Sequence, residues 1–111
     1  MKKRYEIWQI KRKSNAGYRF FRFNGKEFSK DHYEKIYESE ICTTNESMRY
    51  HESILDRLFY IFNMEHPVDF RGHSLSVSDI VILKEDEKDN NPGVFYIEPI
   101  GFKDVTDIWN K

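Results

Sequence analysis

The sequence predicts an α+β domain in which a mainly antiparallel sheet of four to five strands packs against one principal helix, at about residues 45–62. Three observations carry that prediction. Ile80-Val81-Ile82-Leu83 is an unbroken apolar run of strand length, as expected where both faces of a central strand are covered. Residues 33–41 alternate in the manner of a half-buried strand. Between them lies a stretch with apolar residues at helical spacing and charged residues opposite.

Taken in order, Arg4 to Lys11 is rich in β-favouring Tyr5, Ile7, Trp8 and Ile10, and a bulge is expected where Ile7 and Trp8 adjoin. Ser14-Asn15-Ala16-Gly17 supplies turn chemistry. Tyr18 to Phe23 reads as a second strand closed by Asn24-Gly25, although Arg19 and Arg22 also suit a short helix. In the next strand Tyr33, Lys35, Tyr37, Ser39 and Ile41 share one face, and Glu34, Ile36, Glu38 and Glu40 share the other. Thr43-Thr44-Asn45-Glu46 fits a capping box, so the helix is expected to start there. Its apolar stripe is Met48, Leu55, Leu58, Phe59 and Phe62, widened by Ile54 and Ile61, while Arg49, Glu52, Asp56 and Arg57 face water. Asn63 suits a left-handed residue after the last turn and Pro67 forbids continuation, which ends the helix near Phe62.

Asp79 to Lys84 is then the central strand. The polar stretch from Glu85 to Gly93 joins it by a long hairpin loop to Val94-Phe95-Tyr96-Ile97. Gly101-Phe102-Lys103 re-enters the sheet, and Asp104 or Thr106 caps a final helical turn in which Trp109 forms a lid on the core edge.

A chain of 111 residues supports one core, so residues 1–111 are read as a single domain. No apolar run approaches a membrane span, and Met1-Lys2-Lys3-Arg4 is not followed by the apolar region of a signal peptide. The single cysteine, Cys42, fits a reducing compartment. These features lead to the expectation of a cytoplasmic protein that has no membrane partner.

The net charge of −1 conceals an uneven layout: residues 1–22 hold eight basic side chains against Glu6, and the remainder is correspondingly acidic. Basic residues interleaved with Tyr5, Trp8, Tyr18, Phe20 and Phe21 fit a phosphate backbone with stacked bases. They also fit a solvated strand edge protected against pairing. The near-neutral balance of the whole chain favours the edge, which leaves nucleic acid as a secondary partner through Lys2 to Arg22.

The densest group of chemically able side chains is the block from Asp69 to Asp79, which contains Arg71, Gly72, His73, Ser74, Ser76 and Ser78. Ser74, Ser76 and Ser78 share one side of an extended backbone, and Arg71, His73 and Asp79 are near enough in sequence to meet. A nucleophile, a base and an anion clamp are all present by type. No hydrolase elbow motif accompanies them, however, and Ser and Asp side chains commonly fix turns by bonding nearby backbone. The block therefore divides: Arg71, His73, Ser74 and Ser76 are candidate contacts for a ligand, and Gly72, Ser78 and Asp79 hold the turn, with Arg71 also able to tie loop carbonyls together. No catalytic residue is assigned.

His32, His51, His66 and His73 show no His-x-x-x-His spacing, and His66 before Pro67 reads as a turn residue, so no metal is expected. Neither a Gly-x-x-x-x-Gly-Lys loop nor a Gly-x-Gly-x-x-Gly turn is present, and no cofactor is expected.

The run from Pro67 to Val81, with Ile61-Phe62-Asn63 before it and Tyr96 and Gly101-Phe102-Lys103 after it, resembles the YodL-like family of small bacterial domains. Tyr33-Glu34-Lys35-Ile36-Tyr37-Glu38 resembles that family's approach to its helix, and the likeness extends from about residue 5 to residue 105. The resemblance implies a domain found alone or within larger proteins of conjugative elements and phages, mainly in Firmicutes, and it implies no activity. The resulting expectation is a non-enzymatic module that binds an unidentified protein partner, with antidefence by direct binding as one form. The alternative is a small enzyme or nucleic-acid-processing factor using the Arg71 to Asp79 block.

Overall fold

The computed structural model describes residues 2–42, 51–65, 67–84 and 92–109. Five strands form one antiparallel sheet: β1 (Lys2–Ile10), β2 (Tyr33–Cys42), β3 (Ile80–Leu83), β4 (Gly93–Ile97) and β5 (Phe102–Asp104), in the order β2-β1-β3-β4-β5. A 3₁₀ turn (Lys30–His32) leads into β2, α1 (His51–Met64) joins β2 to β3, and α2 (Thr106–Trp109) follows β5.

The apolar run of β3 takes the middle of this sheet. Ile80, Val81 and Leu83 are fully buried because both faces are covered, as their lack of alternation predicts. On one face Tyr5, Ile7, Val81, Leu83, Phe95 and Ile97 pack with Ile54, Leu55, Leu58 and Phe62 of α1 and with Phe70 and Leu75. On the other, Ile10, Tyr33, Ile80, Val94 and Tyr96 pack under Tyr18 and Phe28 of the 11–29 connection and under Trp109 of α2. Each fully buried Leu, Ile or Phe contributes about 1.5–3 kcal/mol by leaving water, so both layers matter to stability.

Several local expectations are corrected. Tyr18 to Phe23 forms consecutive turns, not a strand: Arg19 N donates to Ala16 O, Phe21 N donates to Tyr18 O at 2.8 Å, and Phe20 has a φ of 68°. The aromatic residues that imitate a strand pattern here serve as a lid, with Tyr18 and Phe23 pointing inward while Phe20 and Phe21 face solvent.

The bulge falls where Ile7 and Trp8 adjoin, but the extra residue is on β2. Ile7 pairs with Tyr37 and Trp8 with Lys35, leaving Ile36 unpaired. A one-residue slip exchanges the faces of a strand, so the single-faced alternation expected for residues 33–41 does not hold. Tyr33 joins the loop-covered cluster, whereas Tyr37 and Ile41 join the helix-covered one.

In α1 the stripe is Ile54, Leu55, Leu58 and Phe62; Phe59 is 39% exposed and is not part of it. The helix continues to Met64, past the expected stop at Phe62, with Asn63 Nδ2 donating to Phe59 O at 2.7 Å and Glu65 N to Ile61 O at 2.8 Å. The expected capping box at Thr43 to Glu46, the contribution of Met48, the turn role of His66 and the loop from Glu85 to Asn91 lie outside the described residues. At the C-terminal end, Asp104 Oδ1 accepts from Thr106 N at 2.9 Å to start α2, and Trp109 closes the core against Trp8 and Tyr33.

Candidate functional site

The site begins at the inward face of β1. Tyr5, Ile7 and Gln9 share that face by strand parity, and Gln9 is buried. Because Trp8 pairs with Ile80, continuing the register sets Gln9 opposite Asp79 at the mouth of β3. Gln9 Nε2 donates to Asp79 Oδ2 at 3.1 Å and to the His73 carbonyl at 2.8 Å, which satisfies a polar side chain in an otherwise apolar layer.

Asp79 closes the preceding turn. Its backbone N donates to Ser76 O at 3.0 Å, and its Oδ2 accepts from Ser76 N at 2.8 Å. Burial pushes the Asp79 carboxyl up to about 8, against the opposing pull of the bonds from Ser76 and Gln9. Within the turn, Ser78 has a φ of 81°, the value of the third residue of a type II turn, where glycine is usual. Ser78 is buried and fully paired: its N donates to Ile97 O, its carbonyl accepts from Tyr33 Oη at 2.6 Å, and its Oγ accepts from Phe20 N at 2.9 Å. Ser74, Ser76 and Ser78 accordingly do not share one side of an extended backbone. Ser74 is exposed, Ser76 Oγ donates to Ser74 O, and Ser78 is turned inside.

His73 is half-exposed and packs edge-on against Phe20, with ring centroids 5.8 Å apart. Its Nδ1 lies 2.7 Å from Ser74 O, a geometry that makes Nδ1 the donor and turns Nε2 toward Asp79 Oδ1 at 3.8 Å. Thus His73 and Asp79 meet, as their spacing suggests, but Arg71 does not join them. Arg71 is exposed and makes no ion pair or hydrogen bond among the described residues, so it does not tie the loop together. Gly72 is required by proximity: a Cβ there would stand closer than 3.0 Å to Gln9 Oε1, Ile36 Cγ2 and Phe70 Cζ.

Beside this junction opens a cleft of about 460 Å³, lined on one side by Ile10, Lys11, Arg12 and Lys13 and on the other by Arg71, Gly72 and His73, with Gln9, Glu34 and Ile36 between. It unites two segments that are sixty residues apart in sequence, the basic N-terminal stretch and the Arg71 block. Gln9, Glu34 and Ile36 are participants that motif reading passed over. The available signal for Gln9 was parity, since it falls on the buried face with Tyr5 and Ile7.

Among the described residues no group of three or more His, Cys, Asp or Glu side chains is arranged to hold a metal ion, and no helix is long and apolar enough to cross a membrane. Fold and site together define a small α+β sheet domain with a cation-lined cleft beside a junction of half-exposed His73 with buried Asp79 and Gln9. A family model described as YodL-like domain matches residues 4–108, and the chain belongs to that family. No curated protein and no solved structure matches it.

Proposed function

We propose that this YodL-like domain is a non-enzymatic protein-interaction module, whose contact surface is the loop bearing Arg71, His73, Ser74 and Ser76. One observation carries the reading: both ring nitrogens of His73 are directed at internal partners, Ser74 O and Asp79, and among the described residues no serine hydroxyl is bonded to either. A serine–histidine nucleophile needs that bond, whereas a recognition loop needs a braced backbone with free side chains at its rim. The exposed Arg71 and Ser74 match the second requirement. A cytoplasmic setting, association with mobile elements and antidefence by direct binding are narrower forms of the same proposal; adjacent conjugation or antirestriction genes would support them.

The test is affinity capture from the native host with wild-type and His73→Ala proteins, run beside assays for ester, peptide and phosphodiester hydrolysis. A discrete protein retained by the wild type and lost by the variant is expected. Hydrolysis that disappears in His73→Ala would replace the module reading with an enzyme.

A further inference from the structure

We infer that the cleft between the Lys11–Lys13 turn and the Arg71–His73 loop binds a short acidic peptide segment of a partner protein, an inference that rests on the interaction-module reading. Lys11, Arg12 and Lys13 leave the end of β1 in a turn closed by Ser14 N donating to Lys11 O at 2.9 Å, and Lys11 N is itself held by His32 O at 2.8 Å. The turn backbone is therefore fixed while its side chains extend into solvent. These three cations and Arg71 are exposed, and among the described residues none has a carboxylate partner. Two lysines elsewhere are neutralised locally, Lys84 with Glu6 at 2.9 Å and Lys35 with Glu38 at 3.5 Å. Lys26, Lys30 and Lys103 stand, like the cleft cations, without a carboxylate partner among the described residues, but they are not gathered in one concavity. Four unneutralised cations lining one concavity focus a positive potential there, on a molecule whose net charge is −1.

The size and floor of the cleft select the ligand. A volume of about 460 Å³ lies within the usual range for ligand pockets and admits a few side chains, not a folded domain. Ile10 and Ile36 give it apolar surface, and Arg71 offers a planar fork suited to a carboxylate. Glu34, opposite Gln9 on β2, lines the same cleft, so the positive surface is short and interrupted by negative charge. A phosphodiester backbone carries charge at every step and would meet repulsion from Glu34 inside the cleft. A peptide places carboxylates among neutral backbone groups, and its N–H donors can satisfy Glu34.

Isothermal titration calorimetry on the full chain with octaglutamate, octaglutamine and an eight-nucleotide single-stranded DNA tests this. Octaglutamate should bind and octaglutamine should not. Arg71→Gln, and separately the triple Lys11→Gln, Arg12→Gln, Lys13→Gln variant, should each weaken octaglutamate by about tenfold or more; Glu34→Gln should tighten it, and Lys103→Gln on β5 should leave it unchanged. DNA bound as tightly as octaglutamate, or wild-type affinity in both cleft variants, would overturn the inference. If octaglutamate fails to bind while the captured partner is still lost by His73→Ala, the cleft inference falls and the module reading stands. If the partner is retained by His73→Ala as well, both fall.

Discussion

Phe20 and Ser78, the two non-glycine residues with positive φ among the described residues, are bonded to each other: Phe20 N donates to Ser78 Oγ at 2.9 Å. Left-handed backbone costs an ordinary residue about 1–2 kcal/mol, so each conformation must be held by its surroundings. Here each helps to hold the other, and the pair pins the exposed Phe20 ring against His73.

Removal of the Ser78 hydroxyl should expose that dependence. Ser78→Ala keeps the unfavourable φ and leaves Phe20 N without its acceptor, at a cost of about 1–3 kcal/mol. Ser78→Gly loses the same bond but relieves the backbone, and should cost less. Urea unfolding of the two variants checks the order; a more stable alanine variant would contradict the left-handed turn.

Asp79 should make stability fall with rising pH. Its carboxyl is raised to about 8 in the fold from an ordinary 3.8, so the native state holds a proton that the unfolded chain has released. The stabilisation is complete below about pH 4 and is lost as pH rises through about 8, at no more than about 1.4 kcal/mol per pH unit. Asp79→Asn should flatten this slope between pH 5 and pH 9 in chemical unfolding. Glu6 acts in a different window: burial alone would raise its carboxyl, but donors from Lys84 and Trp8 hold it below its usual value. Its stabilisation is lost only as pH falls through that lowered value.

Gly72→Ala should destabilise the domain by about 1–3 kcal/mol, because the added methyl enters a space already filled by Gln9, Ile36 and Phe70. Arg71→Ala, one residue earlier, removes an exposed and unbonded side chain and should change stability by less than about 0.5 kcal/mol. Thermal melts of the two neighbours make the comparison.

The register of α1 is tested by a second pair. Phe62 is fully buried against Tyr5, Tyr37 and Phe70, so Phe62→Ala should cost about 3–5 kcal/mol. Phe59→Ala, on the partly exposed flank, should cost less than half of that. Equal losses would mean that both rings face the sheet.

What was legible in the sequence follows the range of the interactions involved. β3 announced its central place through four consecutive apolar residues, and the amphipathic spacing around Leu55 and Leu58 identified α1 and its buried face. Both signals are local. Tyr18 to Phe23 misled because four aromatic rings in six residues satisfy strand composition, whereas its conformation is set by Ser78 and by Glu98, whose Oε1 accepts from Phe23 N. The bulge at Ile36 depends on pairing with β1 and flips Tyr33 away from Tyr37, which no alternation count can register. Within the site, Arg71 and His73 were visible as residue types. Their juxtaposition with Lys11, Arg12 and Lys13 arises only when β1, β2 and the segment before β3 are laid side by side.

The two faces of the sheet are lined by different chemistry, and this divides the optical signals of the protein. Both tryptophans lie on the loop-covered face, in edge contact with ring centroids 5.3 Å apart, while the long helix lies on the other. Tryptophan emission therefore follows the 11–29 connection and α2, and far-ultraviolet dichroism at 222 nm follows mainly α1. If the domain melts as one unit, the two curves superimpose. If emission shifts at lower denaturant than dichroism, the aromatic layer has lifted from an intact helix and sheet, exposing Ile80 and Tyr96 while Val81 and Phe95 stay covered.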